Sequence, residues 1–212
     1  MQKKVVLALL MAALLAGGAF AEGSSLSAGA GTLFDFSVNN GVKSGGDYLG
    51  VQTLTLGFFG FFDATYAEAD ISFAYGRLKG VANGKGASYT ATESESFLDS
   101  RVMQLGITLL GKYPFEVGDF TLFPLLGFNY NMILSHTVAG RRDPEPGRWS
   151  QLGLLVGAGG DFDLTDNLYL RGEGLFHLRF PPTVWKDMAA YMGGSATLGM
   201  GPRMKLAVGY RF

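Results

Sequence analysis

The sequence predicts an all-β fold, an eight-stranded antiparallel up-and-down transmembrane β-barrel. Three observations predict it. The chain ends on a strand with two unlike faces. Eight alternating segments are joined by connections that alternate between long and short. The N-terminus reads as an export signal.

In the terminal stretch Met204, Leu206, Val208, Tyr210 and Phe212 alternate with Lys205, Ala207, Gly209 and Arg211. A period of two places large apolar residues on one strand face and small or charged residues on the other. Chain ends usually fray into water, so an apolar, aromatic final strand is better suited to lipid.

At the other end Lys3 and Lys4 precede the apolar run from Val5 to Phe20, and Ala19-Phe20-Ala21 fits a small-x-small cleavage site. This is the order of a secretory signal peptide. Cleavage after Ala21 leaves a barrel domain of residues 22–212. The later apolar residues come in short alternating runs broken by glycine, so a helix-spanning membrane protein is disfavoured. The chain holds 17 Lys+Arg and 18 Asp+Glu. Without Lys3 and Lys4 the balance turns slightly more acidic, which argues against a general nucleic-acid binder. With no cysteine, thiolate metal ligation, disulfides and cysteine nucleophiles are ruled out. The 32 glycines follow no collagen period. They suit tightly curved sheets with crowded interiors.

The segments are about 26–36, 48–61, 66–77, 97–112, 120–134, 149–162, 168–180 and 196–212. In the first, Leu26, Ala28, Ala30, Thr32, Phe34 and Phe36 share a face. In the second, Leu54, Leu56 and Phe58 do so. Ala67, Ala69, Ile71, Phe73 and Tyr75 oppose Glu68, Asp70 and Ser72 in the third. Leu122, Leu126 and Phe128 in the fifth, and Leu152, Leu154 and Val156 in the sixth, are also read as outward. Pro124 interrupts the fifth and removes a ladder donor, which points to a bulge. Long connections fall at 37–47, 78–96, 135–148 and 181–195, and short ones at 62–65, 113–118 and 163–167. Short turns at one end and long loops at the other, with an even strand count, is the outer-membrane barrel pattern. Closure follows because in lipid every backbone polar group must be paired within the protein. Phe61, Phe62, Tyr66, Tyr113, Phe115, Phe120, Phe162, Tyr169, Tyr210 and Phe212 lie near the short turns. Tyr48, Phe97, Trp149, Phe180, Trp185 and Tyr191 lie near the long loops. Two such groups are read as interfacial belts.

On these residues the chain resembles the small bacterial outer-membrane barrels of the OmpA/OmpX/OmpW-type superfamily. The terminal Phe212, with Tyr210 two residues before it, carries part of the likeness. The other part is the run from Gly157 through Leu164-Thr165-Asp166-Asn167 to Arg171-Gly172-Glu173, a glycine-rich strand, tight turn and Arg-x-Glu strand. The resemblance implies a bacterial outer-membrane location. It also implies that Leu206, Val208, Tyr210 and Phe212 form the strand read by the barrel-assembly machinery.

The inward faces define the candidate site. Tyr169, Arg171, Glu173, His177 and Arg179 share one face of the seventh segment, Glu68 and Asp70 face inward from the third, and Lys205 and Arg211 from the eighth. Charges in a narrow interior must be paired, so an interior polar network of Glu68, Asp70, Arg171, Glu173, His177, Arg179, Lys205 and Arg211 is expected. Eight strands leave little free lumen, and these residues read as a plug.

No catalytic, cofactor or metal site is expected. Gly157-Ala158-Gly159-Gly160 lacks the helix a phosphate loop needs. Ser135 and His136 open the third long connection with Asp143 and Glu145 nearby; chain neighbours would point apart on a strand and nothing requires a loop to bring them together, so the chain is not expected to be an enzyme. The loop 78–96 is small and polar. Arg141, Arg142 and Arg148 in the third loop offer guanidiniums to lipid headgroups or host molecules, and Trp185, Met188 and Tyr191 have helical spacing. The expected protein is a monomeric, surface-exposed structural barrel with a plugged lumen, bound to no nucleic acid. A narrow channel for small hydrophobic or polar solutes, as implied for OmpW-type relatives, is the second reading; Phe59, Phe123, Leu125 and Leu155 would supply its apolar zone. An adhesin acting through its loops is the third.

Overall fold

The structure is a computed structural model, and it describes residues 25–83, 100–118, 120–138 and 140–212. The expected signal peptide, 1–21, lies outside them, as do Phe97 and most of the second long connection.

Eight long strands make the wall: β1 (Leu26–Ser44), β2 (Asp47–Ala64), β3 (Ala67–Asn83), β4 (Ser100–Lys112), β6 (Phe120–Val138), β8 (Gln151–Asp163), β9 (Leu168–Arg179) and β11 (Gly199–Arg211). Short strands β5 (Phe115–Val117), β7 (Arg141–Arg142) and β10 (Ser195–Ala196) pair with the ends of β6 and β1 at the barrel's rims. Each long strand pairs antiparallel with its chain neighbours, and β1 pairs with both β2 and β11, closing the ring. Closure leaves the wall no unpaired edge. Among the described residues no helix is long and apolar enough to cross a membrane.

Side chains alternate as the period of two requires. Along β2, Leu54, Leu56 and Phe58 are exposed while Thr53, Thr55 and Phe59 are buried. Phe58 is 72% exposed and Leu206 is 68% exposed. Large apolar side chains turned out around a closed barrel are the surface that lipid covers.

Four expectations change. The connection 37–47 is not a long loop. β1 and β2 continue past a register shift between Ser37 and Asn40, and meet at a two-residue turn. Gly45 and Gly46 both take positive φ there, which glycine adopts without strain. Phe61 and Tyr169 are buried inside the barrel rather than in the aromatic belt. Phe62, Tyr66, Tyr113, Phe115, Phe120 and Phe162 do stand exposed. The last long connection carries an α-helix, α1 (Thr183–Tyr191), whose Trp185 is only 1% exposed. That tryptophan fills the barrel mouth instead of lying at a lipid interface. Pro124 marks a change of partner rather than a bulge: β6 pairs with β4 as far as Leu125 and with β5 from Leu122.

Candidate functional site: the charged lumen and its cap

The interior is layered. Nearest the short turns, Arg171 reaches inward from β9. Its Nε and Nη2 donate to the two Asp161 oxygens at 2.7 and 2.8 Å. Nη1 donates to Glu68 Oε2 and Nη2 to Asp63 Oδ2, both at 2.7 Å. β3 lies four strands from β9 in the ring of eight, so the Arg171–Glu68 pair crosses the lumen. The guanidinium also lies over the rings of Phe61, Phe123 and Tyr169, with centroids 4.8, 5.1 and 5.2 Å away. A planar, delocalised cation can use its edge for carboxylates and its faces for aromatic rings at once.

Lys205 adds a second node. Its Nζ lies 3.1 Å from Glu68 Oε1, 2.7 Å from Asp70 Oδ2 and 2.8 Å from Glu173 Oε2. Lys112 donates to Asp63 at 2.6 Å. The layer therefore holds Arg171, Lys205 and Lys112 against Asp63, Glu68, Asp70, Asp161 and Glu173. Gly159 opens space within it: a Cβ there would meet the Phe123 ring at 2.4 Å and Glu173 Cγ at 3.0 Å.

Toward the long loops lies a layer of opposite balance. Asp35, on β1, pairs with both Arg179 and Arg203. The Arg203 Nε donates to Asp35 Oδ2 at 2.8 Å, and its Nη2 contacts Asn129 Oδ1 across the lumen at 3.4 Å. His177 Nδ1 lies 3.2 Å from Arg179 Nε. Two cations here face one carboxylate, and the neighbouring layer has carboxylates in excess. Each layer offsets part of the other's charge.

Apolar side chains fill the remaining volume. Leu110, Phe123, Leu125, Leu155 and Leu175 form one buried cluster, and Leu33, Phe59, Phe61, Ala74, Tyr169 and Ala207 another. At the mouth Trp185 and Ala189 of α1 pack on Val42, Val51, Leu78 and Val102. A cavity of about 30 Å³ lies under Trp185 and Trp149, lined also by Arg179 and Gln104. That is room for one or two waters.

The cap is fastened on several sides. The Trp149 and Trp185 rings meet edge to face with centroids 5.5 Å apart. Arg148 donates to Asp187 of α1 at 2.6 Å. The helix stops at Gly193, whose φ of 61° suits glycine, and Gly194 N–H donates back to Ala189 O at 2.8 Å. In the adjoining loop Asp143 accepts from the Trp149 indole at 2.8 Å and from the Glu145 backbone N–H at 2.8 Å, and lies 3.3 Å from His136 Nδ1. Partial burial opposes ionisation of Asp143, but these partners outweigh it and hold the carboxyl below its usual value.

Of the expected network, Glu68, Asp70, Arg171, Glu173 and Lys205 come together in one layer. His177 and Arg179 belong to the second. Arg211 does not join either. It keeps the inward side of β11 but lies at the end of the barrel, 26% exposed, and pairs with Asp163 at 2.8 Å. The strand has run out of lumen by that point, so Arg211 is a rim residue over the Tyr169 ring. Sequence reading did not pick out Asp35, Asp63, Asp161, Lys112 or Arg203. Leu206, Val208 and Tyr210 of β11 are exposed outward, as is Phe212 just past its end, whose N–H donates to Leu26 O at 3.0 Å beside the closing seam. Ser135 is partly exposed and His136 buried, as alternation requires.

No family model matches the chain, and no curated protein matches it in sequence. Among solved structures it is similar to Neisserial surface protein A, with a TM-score of 0.50 and 12% identity, over 90% of this chain and 100% of that one. It is also similar to the outer membrane protein OprG of Pseudomonas aeruginosa, with a TM-score of 0.48 and 16% identity, over 90% and 96%. A third is Ail, the attachment invasion locus protein of Yersinia pestis, with a TM-score of 0.40 and 17% identity, over 89% and 97%. The chain has the fold of the small eight-stranded outer-membrane β-barrels. Its outward apolar surface and closed backbone are those of an integral membrane protein of that class.

Proposed function

We propose that this protein is a sealed outer-membrane barrel with a structural, surface-exposed role rather than a conduit. The observation that carries the reading is the pair of cation nodes spanning the lumen. Arg171 ties β9 to β2, β3 and β8, and Lys205 ties β11 to β3 and β9. A solute passing along the axis would have to separate buried ion pairs, and leaving a buried charge unpaired costs about 3–5 kcal/mol. The Trp185 cap above them closes the mouth with a buried indole.

Proteoliposome swelling tests this. Vesicles carrying the folded protein should swell in small sugars and amino acids no faster than protein-free vesicles. Swelling that slows with increasing solute size would replace the sealed barrel with a narrow solute channel.

A further inference from the structure

Strand register brings four cations together on the outside of the barrel. Arg77 of β3 pairs with Arg101 of β4, Arg101 with Thr137 of β6, and Thr137 with Arg142 of β7. Registered partners project to the same side of a sheet, and Arg77, Arg101 and Arg142 are all exposed. Lys79, two residues beyond Arg77, is exposed on the same face and pairs with outward Gln52 of β2. Adjacent strands lie about 4.8 Å apart, so the row spans about 15 Å of the wall.

Its height is as telling as its charge. Directly beneath are exposed Tyr75 and Met103, part of the apolar belt. The strand pair β3–β4 begins its register at Ala67 and Gly111, beside exposed Tyr66 and Tyr113. From there to Arg77 and Arg101 is ten residues on each strand. At about 3.3 Å per residue and a tilt of about 40°, that rise is about 25 Å, the height of a barrel's apolar band. The cations therefore stand at the headgroup level of the leaflet on the long-loop side. At the same end of the barrel β8 turns out Leu152, and Phe180 and Leu198 are exposed beside β9 and β11, so the row does not continue onto those strands.

We propose that Arg77, Lys79, Arg101 and Arg142 form a lateral docking stripe for the phosphate groups of a phosphorylated glycolipid in the outer leaflet. Guanidinium binds phosphate through paired N–H donors. A row at headgroup depth presents those donors sideways, where a lipid phosphate arrives with its acyl chains against Tyr75 and Met103. The proposal rests on membrane placement and not on a sealed lumen, so the swelling result leaves it untouched.

Native mass spectrometry of the full mature chain, released from phosphatidylcholine nanodiscs, tests the stripe. One set of nanodiscs carries diphosphoryl lipid A and the other its phosphate-free counterpart. The wild-type protein should retain the diphosphoryl lipid preferentially. The double variant Arg101→Ala/Arg142→Ala should retain it about tenfold less, the scale of a 1.4 kcal/mol loss, with Arg101→Gln alone in between. Arg148→Ala/Lys186→Ala, which removes two cations at the mouth, should match the wild type. Unchanged migration on unboiled gels verifies folding of each variant. Equal retention of the two lipids by the wild type, equal retention by the stripe variant, or an equal fall in the mouth variant would each overturn the proposal.

Discussion

Arg171 and Arg211 lie on neighbouring strands, and both were expected to serve the interior. Their surroundings separate them. Arg171 is buried among Asp63, Glu68 and Asp161, and Arg211 meets a half-exposed Asp163 at the rim. Arg171→Met should destabilise the barrel by about 3–5 kcal/mol, because three buried carboxylates lose a shared partner. Arg211→Ala should cost less than about 1 kcal/mol, as exposed pairs do. Urea unfolding in detergent micelles, followed by far-UV circular dichroism, measures both. Asp143 gives a pH prediction. Its folded pKa lies below the unfolded one, so its contribution is fully present above the ordinary aspartate value of about 3.9 and is lost as pH falls through the lower folded value. Trp149 fluorescence should report loosening of the loop in that acidic window, and Asp143→Asn should remove the transition.

Period two made the inward faces of β3, β9 and β11 legible residue by residue. Asp35 was equally open to it, since it alternates with outward Phe34 and Phe36. Asp63 and Lys112 sit one or two residues from a turn, where alternation fades into loop chemistry. Asp161 follows a glycine run that carries no facial signal. Arg203 precedes the terminal stretch in which alternation is plain. Which charges meet is a matter of register and closure, and neither is written in any one strand.

At the scale of the element, α1 is the part the strand pattern least foretold. Trp185, Met188 and Tyr191 hinted at helical spacing, but spacing does not say whether a helix lies over the mouth or on the rim. The burial of Trp185 and the Arg148–Asp187 pair decide it. Trp185→Ala should remove about 3–5 kcal/mol of packing from the cap. Hydrogen exchange should then quicken in 183–191 while the amides of β9 and β11 keep their protection. A general loss of protection would mean that the cap and the wall fold as one unit. The terminal strand makes a different prediction, for assembly. Phe212 is 77% exposed and adds little to the interior. Its deletion should lower the yield of heat-modifiable barrel in cells and leave the unfolding midpoint of folded protein nearly unchanged.

For the whole molecule, the fold was legible because a closed barrel imposes one rule along nearly every strand: apolar out, small or polar in. The rule failed where strands outlast the membrane. β1 and β2 run on to a tight Gly45–Gly46 turn in a region too polar to read as strand. Above the bilayer water pairs what lipid cannot, and the apolar alternation stops while the hydrogen-bond ladder continues. Within the wall, ion pairs lie in two layers, those of Arg171 and Lys205 crossing the lumen, and a capped mouth stands above them. The central claim is that these side chains leave no continuous path for ions. Single-channel recording in planar bilayers, with the folded wild-type protein in molar potassium chloride, tests it most directly. The expected result is a flat current trace, no different from that of the protein-free bilayer. Reproducible unitary steps from the wild type, altered in size by Arg171→Met or Glu173→Gln, would contradict it.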